Sequence, residues 1–201
     1  MKRWFPDPAD LTAERTAAAK LRTLPATPRV VAVCSGAGGV GATTVCAGVA
    51  ATLAALWPAK VAYSGLAAAP PLPGVRTVDA PLWTDAVDPA AVDRLAEQFP
   101  LVFLDVGAHA DRTARTLLGR SDRLLVVTDR IGRGEKTASA RVDETRPATS
   151  ATVVVGDSTE HDGDRFGVPH DKALRDLADG FLDRVRPVTR RAFLYLASWC
   201  L

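Results

Sequence analysis

The chain has 201 residues, of which 47% are hydrophobic and 24% are charged, with 25 basic against 23 acidic side chains. This composition is typical of one soluble globular domain with its own core, and it argues against a disordered chain, an integral membrane protein and a strongly basic nucleic-acid-binding protein. The cysteines Cys34, Cys46 and Cys200 are widely spaced in apolar runs, which indicates neither a disulfide framework nor a zinc site.

The predicted elements begin with a helix over residues 7–24, which ends before Pro25. The apolar run from Arg29 to Cys34 then predicts a buried parallel strand. A glycine-rich loop follows this strand. The small, mostly apolar residues from Ala42 to Leu56 predict a helix that packs against a sheet.

Strand-like and helix-like segments alternate along the rest of the chain. Strands are predicted at 60–64, 75–79, 101–106, 123–128 and 151–156, and helices near 88–98, 111–119, 134–145 and 170–185. The polar or proline-rich stretches 67–74 and 157–167 are predicted loops. This alternation predicts a three-layer α/β/α domain with a mostly parallel central sheet. We place that domain at residues 29–186, between a helical extension (1–28) and an apolar tail (187–201).

The loop Gly36-Ala37-Gly38-Gly39-Val40-Gly41 fits two phosphate-binding patterns. It satisfies the dinucleotide fingerprint G-x-G-x-x-G. Together with Ala42 and Thr43 it also satisfies the P-loop pattern G-x-x-x-x-G-K-S/T, except that Ala42 stands in place of lysine. Both patterns direct backbone N–H groups and the positive end of a helix dipole at an anion.

The residues around the loop favour the P-loop. A dinucleotide site has an acidic residue about 20 positions further on, but the predicted strand Val61-Ala62-Tyr63-Ser64-Gly65 ends without one. A P-loop site has a hydroxyl group for magnesium and an aspartate at the end of a hydrophobic strand. Thr43 and Asp105 stand at these two places. A glycine turn that binds no ligand remains an alternative.

The segments Val30 to Thr44, Leu101 to Asp105 and Ser121 to Thr128 resemble, in this order, the ParA/MinD family of deviant Walker-A ATPases, including its TadZ/CpaE-like pilus-positioning branch. The family pattern K-G-G-V-G-K-T-T corresponds to Ala37 to Thr44, and Phe166 to Leu174 resembles the family's v-P-x-D-x-x-L segment. The resemblance runs from about residue 29 to about residue 185 and implies a P-loop NTPase-like fold. It also implies ATP or ADP with Mg²⁺ as cofactor, a homodimer, and a protein partner in a secretion, pilus, conjugation or partition apparatus.

The resemblance assigns cofactor binding to the glycine loop and to the start of the next helix, at Gly36, Gly38, Gly39, Val40, Gly41, Ala42, Thr43 and Thr44. It makes Thr43 and Asp105 the magnesium ligands. The asparagine that recognises the base in the family would fall near Gly156 and Asp157, where the chain has none.

Both lysines of the family pattern are replaced by alanine, at Ala37 and Ala42, and no aspartate follows the second strand to orient an attacking water. Phosphoryl transfer depends mainly on positioning and electrostatic stabilisation. We therefore expect no ATPase activity, or a very weak one, and we assign no catalytic residue. The first hypothesis is a pseudo-ATPase that acts as a positioning or regulatory scaffold through dimerisation and partner binding.

Two other functions remain as alternatives. The first is an active ATPase whose missing lysines are replaced by other residues, with Arg130 and Arg133 as the nearest candidates. The second is a dinucleotide-binding Rossmann oxidoreductase. We interpret His109 as a loop residue rather than a sensor of the γ-phosphate, and the acidic stretch 157–164 as a solvated turn rather than a metal loop.

The carboxyl end combines Arg184, Arg186, Arg190 and Arg191 with an apolar segment at 192–201. We expect this tail to pack on the sheet or in a homodimer interface, and peripheral contact with the inner face of the membrane is the alternative. The same choice applies to Trp4 and Phe5 at the other end. No apolar stretch after Met1 resembles a secretory signal, and no run is long enough to span a membrane, so we expect a cytoplasmic protein. No specific nucleic-acid binding is indicated.

Overall fold

The computed structural model describes residues 8–65, 72–77, 89–145, 149–157, 161–177 and 180–201. The helices in these ranges are α1 (Pro8–Lys20), α2 (Ala42–Leu56), α3 (Pro89–Gln98), α4 (Arg112–Leu118), α5 (Glu135–Thr145), α6 (Phe181–Arg184) and α7 (Pro187–Cys200), with a short 3-10 helix at Lys172–Arg175. The strands are β1 (Arg29–Ser35), β2 (Val61–Gly65), β3 (Val75–Thr77), β4 (Leu101–Gly107), β5 (Arg123–Asp129), β6 (Thr149–Val155), β7 (His161–Asp162) and β8 (Arg165–Val168).

The strands form one sheet in the order β3-β2-β4-β1-β5-β6-β8-β7. Every pair of neighbours is parallel except β7 and β8, which run antiparallel. β1 lies in the interior of the sheet, with Val33 opposite Asp105 on one side and Leu125 on the other. The glycine loop therefore leaves the middle of the sheet at its carboxyl edge, where ligands of open α/β sheets bind.

Helices cover both faces of the sheet, because successive side chains of a strand point to opposite faces. In β1, Val31 and Val33 pack with α1, α2 and α7, while Ala32 and Cys34 pack with α3, α4 and α5. All four side chains are fully buried. The predicted three-layer α/β/α class is confirmed.

The apolar tail forms α7, whose buried residues include Phe193, Leu196 and Ala197. The helix packs against α1, α2 and β8. The contact with α2 is close, since a Cβ at Gly48 would overlap the ring of Phe193. The tail is thus part of the core, and contact with a membrane or a second copy through this face would require α7 to leave it. Within the described residues, no helix has the length and apolarity needed to cross a membrane.

Two predicted segments are wrong. Residues 157–167 are not one loop, because the antiparallel pair β7–β8 lies there, turning at Gly163 with a φ of +55°, and β8 buries Phe166 against the core. The helix expected near 170–185 is replaced by the 3-10 helix and by α6, and Gly180 with a φ of +71° starts the latter. The first helix also ends at Lys20 rather than at residue 24. Trp4, Phe5, Glu160 and most of the loop predicted at 67–74 lie outside the described residues.

Candidate functional site

The glycine loop joins β1 to α2. At two positions its backbone has a left-handed conformation that only glycine adopts without strain. Gly39 has a φ of +74° and Gly41 a φ of +100°. Gly41 is the N-cap of α2 and contributes no side chain to cap it. The N–H groups of the first turn are therefore left to bind water or a ligand, and the dipole of this 15-residue helix favours an anion there.

A second loop, residues 130–134 between β5 and α5, lies directly against the glycine loop. Gly134 and Gly36 touch through their backbones, so that a Cβ on either glycine would overlap main-chain atoms of the other. Gly134 also has a φ of +73°. Two glycines are thus required for these loops to meet.

Asp129, the last residue of β5, holds this second loop in place. Its Oδ1 accepts hydrogen bonds from the backbone N–H groups of Ile131 (3.1 Å) and Arg133 (3.0 Å), and its Oδ2 pairs with the Arg133 guanidinium. The hydrogen bonds from Arg133 keep the pKa of Asp129 below its usual range. The carboxylate and the Arg133 side chain therefore neutralise each other.

A cavity of about 1090 Å³ opens beside the glycine loop at the carboxyl edge of the sheet. One wall, here called the glycine-loop wall, consists of Gly39, Val40, Gly41, Thr44 and Val45. The rest of the lining comes from the ends of later strands and the segments that follow them. It consists of Asp129, Arg130, Ile131, Arg133, Val155, Val168, Pro169, His170, Asp171, Lys172, Leu174, Arg175 and Arg186, here called the distal wall.

All the charged side chains that line the described cavity lie on the distal wall. Arg133 is paired with Asp129, and the Arg186 Nε lies 3.5 Å from the Asp171 carboxylate. Arg130, Lys172 and Arg175 make no side-chain hydrogen bond or ion pair with any described residue. The cavity therefore carries excess positive charge, which favours an anionic ligand.

Asp171 connects the distal wall to the carboxyl-terminal helix. Its Oδ1 accepts from the Ala173 backbone N–H (3.1 Å), and its Oδ2 accepts from the Arg186 N–H (2.8 Å) and the Thr189 hydroxyl (2.9 Å). Desolvation raises the pKa of Asp171, but these hydrogen bonds and the Arg186 charge outweigh it and hold the pKa below its usual range. The residue stays ionised and ties the start of the 3-10 helix to the start of α7.

Asp105 lies at the end of β4 and is 3% exposed. Its Oδ2 accepts a hydrogen bond of 3.0 Å from the Tyr63 hydroxyl. Burial raises the pKa of Asp105, although the Thr43 hydroxyl, the Tyr63 hydroxyl, the Gly107 backbone N–H and the nearby His109 oppose this rise. Burial also raises the pKa of Tyr63, so its hydroxyl keeps its proton and remains a donor.

Thr43 and Asp105 are chemically suited to Mg²⁺, which prefers oxygen ligands. The Asp105 Oδ1 is buried and has no hydrogen-bond partner, although the Thr43 hydroxyl lies near the carboxylate. A buried acceptor without a partner is costly, and a cation would satisfy it. Among the described residues no group of three or more His, Cys, Asp or Glu side chains forms a metal site.

The eight predicted cofactor residues separate into two groups. Gly39, Val40, Gly41 and Thr44 line the cavity, and Gly36, Gly38, Ala42 and Thr43 do not. Gly36 faces Gly134, Gly38 is exposed with open space around it, and Ala42 is 7% exposed at the start of α2. His109 is exposed, and Asp164 accepts a hydrogen bond from the Trp199 indole N–H (3.0 Å) instead of facing a metal.

Sequence reasoning missed Tyr63 and most of the distal wall. The segment from Pro169 to Leu174 carried a signal, because it was part of the family resemblance, but no binding role was assigned to it. Tyr63 carried none, since only the parallel register that sets Tyr63 and Gly65 beside Phe103 and Asp105 brings the hydroxyl to the carboxylate.

No family model and no curated protein matches the chain. Solved structures do match its fold. A ParA family ATPase from Chlorobium tepidum TLS superposes with a TM-score of 0.65 at 13% identity, covering 85% of this chain and 98% of that one. The chain has the ParA/MinD ATPase fold. A chain of the MinC:MinD cell division protein complex of Aquifex aeolicus (TM-score 0.62, 14% identity, 84% and 93% covered) is similar. So is the septum site-determining protein MinD with Mg-ADP from Pyrococcus horikoshii OT3 (0.60, 14%, 85% and 95%).

Proposed function

We propose that this chain is a ParA/MinD-like pseudo-ATPase that binds ATP or ADP with Mg²⁺ and acts as a positioning or regulatory scaffold. The observation that carries the proposal is the contrast at the glycine loop. Its backbone keeps the positive-φ turn into α2 and borders a large cavity, while Ala37 and Ala42 stand where the family pattern has lysine. The glycine loop has a backbone suited to bind phosphate, and it lacks the two lysine side chains that would stabilise the negative charge of a phosphoryl group during transfer.

Binding is supported by the open N–H groups at the start of α2 and by the positive charge of the distal wall. Thr43 and Asp105 would hold magnesium, which supplies neutralisation of phosphate charge when it is bound. The similarity to a MinD solved with Mg-ADP supports this choice of cofactor.

Weak or absent hydrolysis is supported by the end of β2. Gly65 lies opposite Asp105, where an aspartate of the family would orient water, and it has no side chain. The Asp105 carboxylate is buried and already accepts from Tyr63, so it is unsuited to activate water at the cavity. The two carboxylates that line the cavity, Asp129 and Asp171, are each engaged in an ion pair with an arginine.

A scaffold needs a surface to which partner proteins bind. Ile131 is 83% exposed on the loop that follows β5 and lines the same cavity, so an apolar side chain lies beside the ligand at the protein surface. We assign to this region a homodimer contact or a contact with a protein of a secretion, pilus, conjugation or partition apparatus. The TadZ/CpaE-like branch and a cytoplasmic location are part of the same proposal.

The test is calorimetric titration with ATP, ADP and NADP, each with and without Mg²⁺, together with a phosphate-release assay. We expect magnesium-dependent binding of ATP or ADP without release above background. Ala42→Lys should raise the affinity for ATP about tenfold, because it adds one charged phosphate contact. Robust turnover by the wild type would contradict the pseudo-ATPase proposal, and absence of binding at millimolar nucleotide would contradict nucleotide binding.

Of the two alternatives, an active ATPase with substituted residues is favoured by one observation, the presence of Arg130 and Arg133 in the cavity lining. The phosphate-release assay decides it. The oxidoreductase is not supported, because β4 lies between β1 and β2, whereas the dinucleotide-binding order sets the second strand directly beside the first.

A further inference from the structure

The positive charge that the glycine loop lacks is present elsewhere around the same cavity. Among the described lining residues, five are arginine or lysine and two are aspartate. The aspartates are each engaged by one arginine, Asp129 by Arg133 and Asp171 by Arg186. Arg186 is further fixed by a hydrogen bond to the His170 carbonyl. The side chains of Arg133 and Arg186 are therefore engaged in contacts that stabilise their own segments.

Arg130, Lys172 and Arg175 are different, because no described residue accepts from their side chains. They are exposed and come from two separate segments, Arg130 from the loop after β5 and the other two from the 3-10 helix. Three cations without a partner among the described residues repel one another around one cavity, and a bound anion would relieve that repulsion.

We propose that Arg130, Lys172 and Arg175 hold the phosphate groups of the ligand in place of the lysines missing at Ala37 and Ala42. The proposal rests on the nucleotide binding proposed above and names the residues that perform it. The glycine-loop wall supplies neutral N–H donors, and the distal wall supplies charge. Arg130 is the principal contact, since its loop touches the glycine loop through Gly134 and Gly36.

The arrangement also specifies the chemical class of the ligand. Three cations on two segments match a group that carries several negative charges, so the site selects a polyphosphate over a single phosphate. A nucleoside diphosphate or triphosphate is the ligand, and AMP binds much more weakly. Inorganic tripolyphosphate, which has no base, binds as well.

The test compares Arg130→Gln and the double variant Lys172→Gln/Arg175→Gln with Lys60→Gln in the full chain. Lys60 is exposed and precedes β2, at the opposite edge of the sheet from the glycine loop, so its variant removes one positive charge away from the cavity. Binding of Mg-ATP, AMP and tripolyphosphate is measured by calorimetry at two salt concentrations. Urea unfolding verifies that each variant is folded.

We expect Arg130→Gln and the double variant each to lose about tenfold or more in affinity for Mg-ATP and tripolyphosphate, while Lys60→Gln loses less than twofold. The affinity of the wild type should fall with salt more steeply than that of either cavity variant. Unchanged Mg-ATP binding in both cavity variants would overturn this inference and leave the proposed function standing. Tripolyphosphate binding without nucleotide binding would support the cation site and overturn the proposed function. Failure to bind any of the three anions would overturn both.

Discussion

The two walls of the cavity differ in how they would recognise a ligand. The glycine-loop wall offers main-chain donors and side chains that are apolar or, at Thr44, a hydroxyl, and it carries no charge. The distal wall carries two ion pairs, and it carries three further cations that pair with no residue in the described part of the chain. The glycine turn and the positive charge of the proposed phosphate site therefore lie on different segments. The positive-φ turn at Gly39 and Gly41 forms with alanine at both lysine positions.

Two contacts that differ in kind hold the segments around the cavity together: one joins the glycine loop to the loop after β5, and the other joins the distal wall to α7. At Gly36 and Gly134 the contact is between backbones and depends on the absence of side chains. At Asp171 it depends on one carboxylate that receives three hydrogen bonds. The first joint is steric and the second is electrostatic, so substitutions can break each one separately.

The steric joint should show the largest effect. Gly36→Ala adds a Cβ that overlaps the Gly134 carbonyl, and the backbones must separate to admit it. We expect a loss of about 3 kcal/mol in the free energy of unfolding, since overpacking against main chain cannot be relieved by a rotamer change. Urea denaturation measures this loss, and the same variant should bind Mg-ATP more weakly because the glycine loop moves.

Gly38→Ala is the matched control, because it lies two residues away with nothing within 4 Å of its added Cβ. We expect it to change stability by less than about 0.5 kcal/mol. Equal losses in the two variants would show that general stiffness of the loop, not the contact with Gly134, determines stability.

The electrostatic joint should show a smaller effect that depends on pH. Asp171→Asn keeps the shape of the side chain but cannot accept all three hydrogen bonds as an anion, and we expect a loss of about 2 kcal/mol at pH 7. The pKa of Asp171 is lowered in the folded state. Its contribution is therefore complete above the unfolded pKa of about 3.9 and is lost as the pH falls through the folded value. Urea unfolding of the two proteins at pH 7 and at progressively lower pH measures the difference.

Asp93→Asn serves as the control for Asp171. Asp93 pairs with Arg120 at 2.7 Å on the surface, where both side chains are about half exposed. We expect a loss of no more than about 1 kcal/mol. If Asp93→Asn cost as much as Asp171→Asn, or if the loss at Asp171 persisted unchanged below pH 3, the joint would not depend on the carboxylate charge.

The sequence predicted the glycine-loop wall better than the distal wall. The first depends on local rules, because a buried β-branched run followed by glycines and a small-residue helix specifies a strand, a turn and a helix within 28 residues, from Arg29 to Leu56. The distal wall assembles residues from β5, β6, β8 and the segments that follow them, which only the order of the strands brings together. The position of Arg130 and Arg133 after β5 makes both of them candidate phosphate ligands in the sequence. That Arg133 pairs with Asp129 and Arg130 does not depends on how Asp129 folds the loop.

The prediction failed most clearly at β8. Residues 165–168 follow an acidic, glycine-containing turn, and a strand of four residues is too short to show the alternation that marks longer strands. Pairing with β6 supplies the hydrogen bonds that stabilise it, and burial of Phe166 and Val168 adds apolar contacts. Those partners are distant in sequence, so the local pattern predicted a loop.

A third carboxylate, Asp105 at the end of β4, behaves in the opposite way to Asp171. Desolvation raises its pKa in the folded state. The ionised form is therefore disfavoured by folding, with no cost below the unfolded pKa of about 3.9 and an increasing cost as the pH rises through the folded value. Asp105→Asn removes that charge, and we expect it to stabilise the protein at pH 7 by an amount on the order of 1 kcal/mol. The gain should disappear near pH 4, as urea unfolding at the two pH values would show.

Stabilisation by Mg-ATP tests whether Asp105 is a metal ligand or only a buried carboxylate. If Asp105 and Thr43 hold Mg²⁺, addition of Mg-ATP should stabilise the wild type by more than it stabilises Asp105→Asn, because binding to the folded state raises stability in proportion to the logarithm of ligand concentration over Kd. Tyr63→Phe leaves the carboxylate in place and removes only the 3.0 Å hydrogen bond. It should cost about 1 kcal/mol while retaining the response to Mg-ATP. A wild type and an Asp105→Asn variant that gain equally from Mg-ATP would mean that the buried oxygen without a hydrogen-bond partner is not a metal ligand.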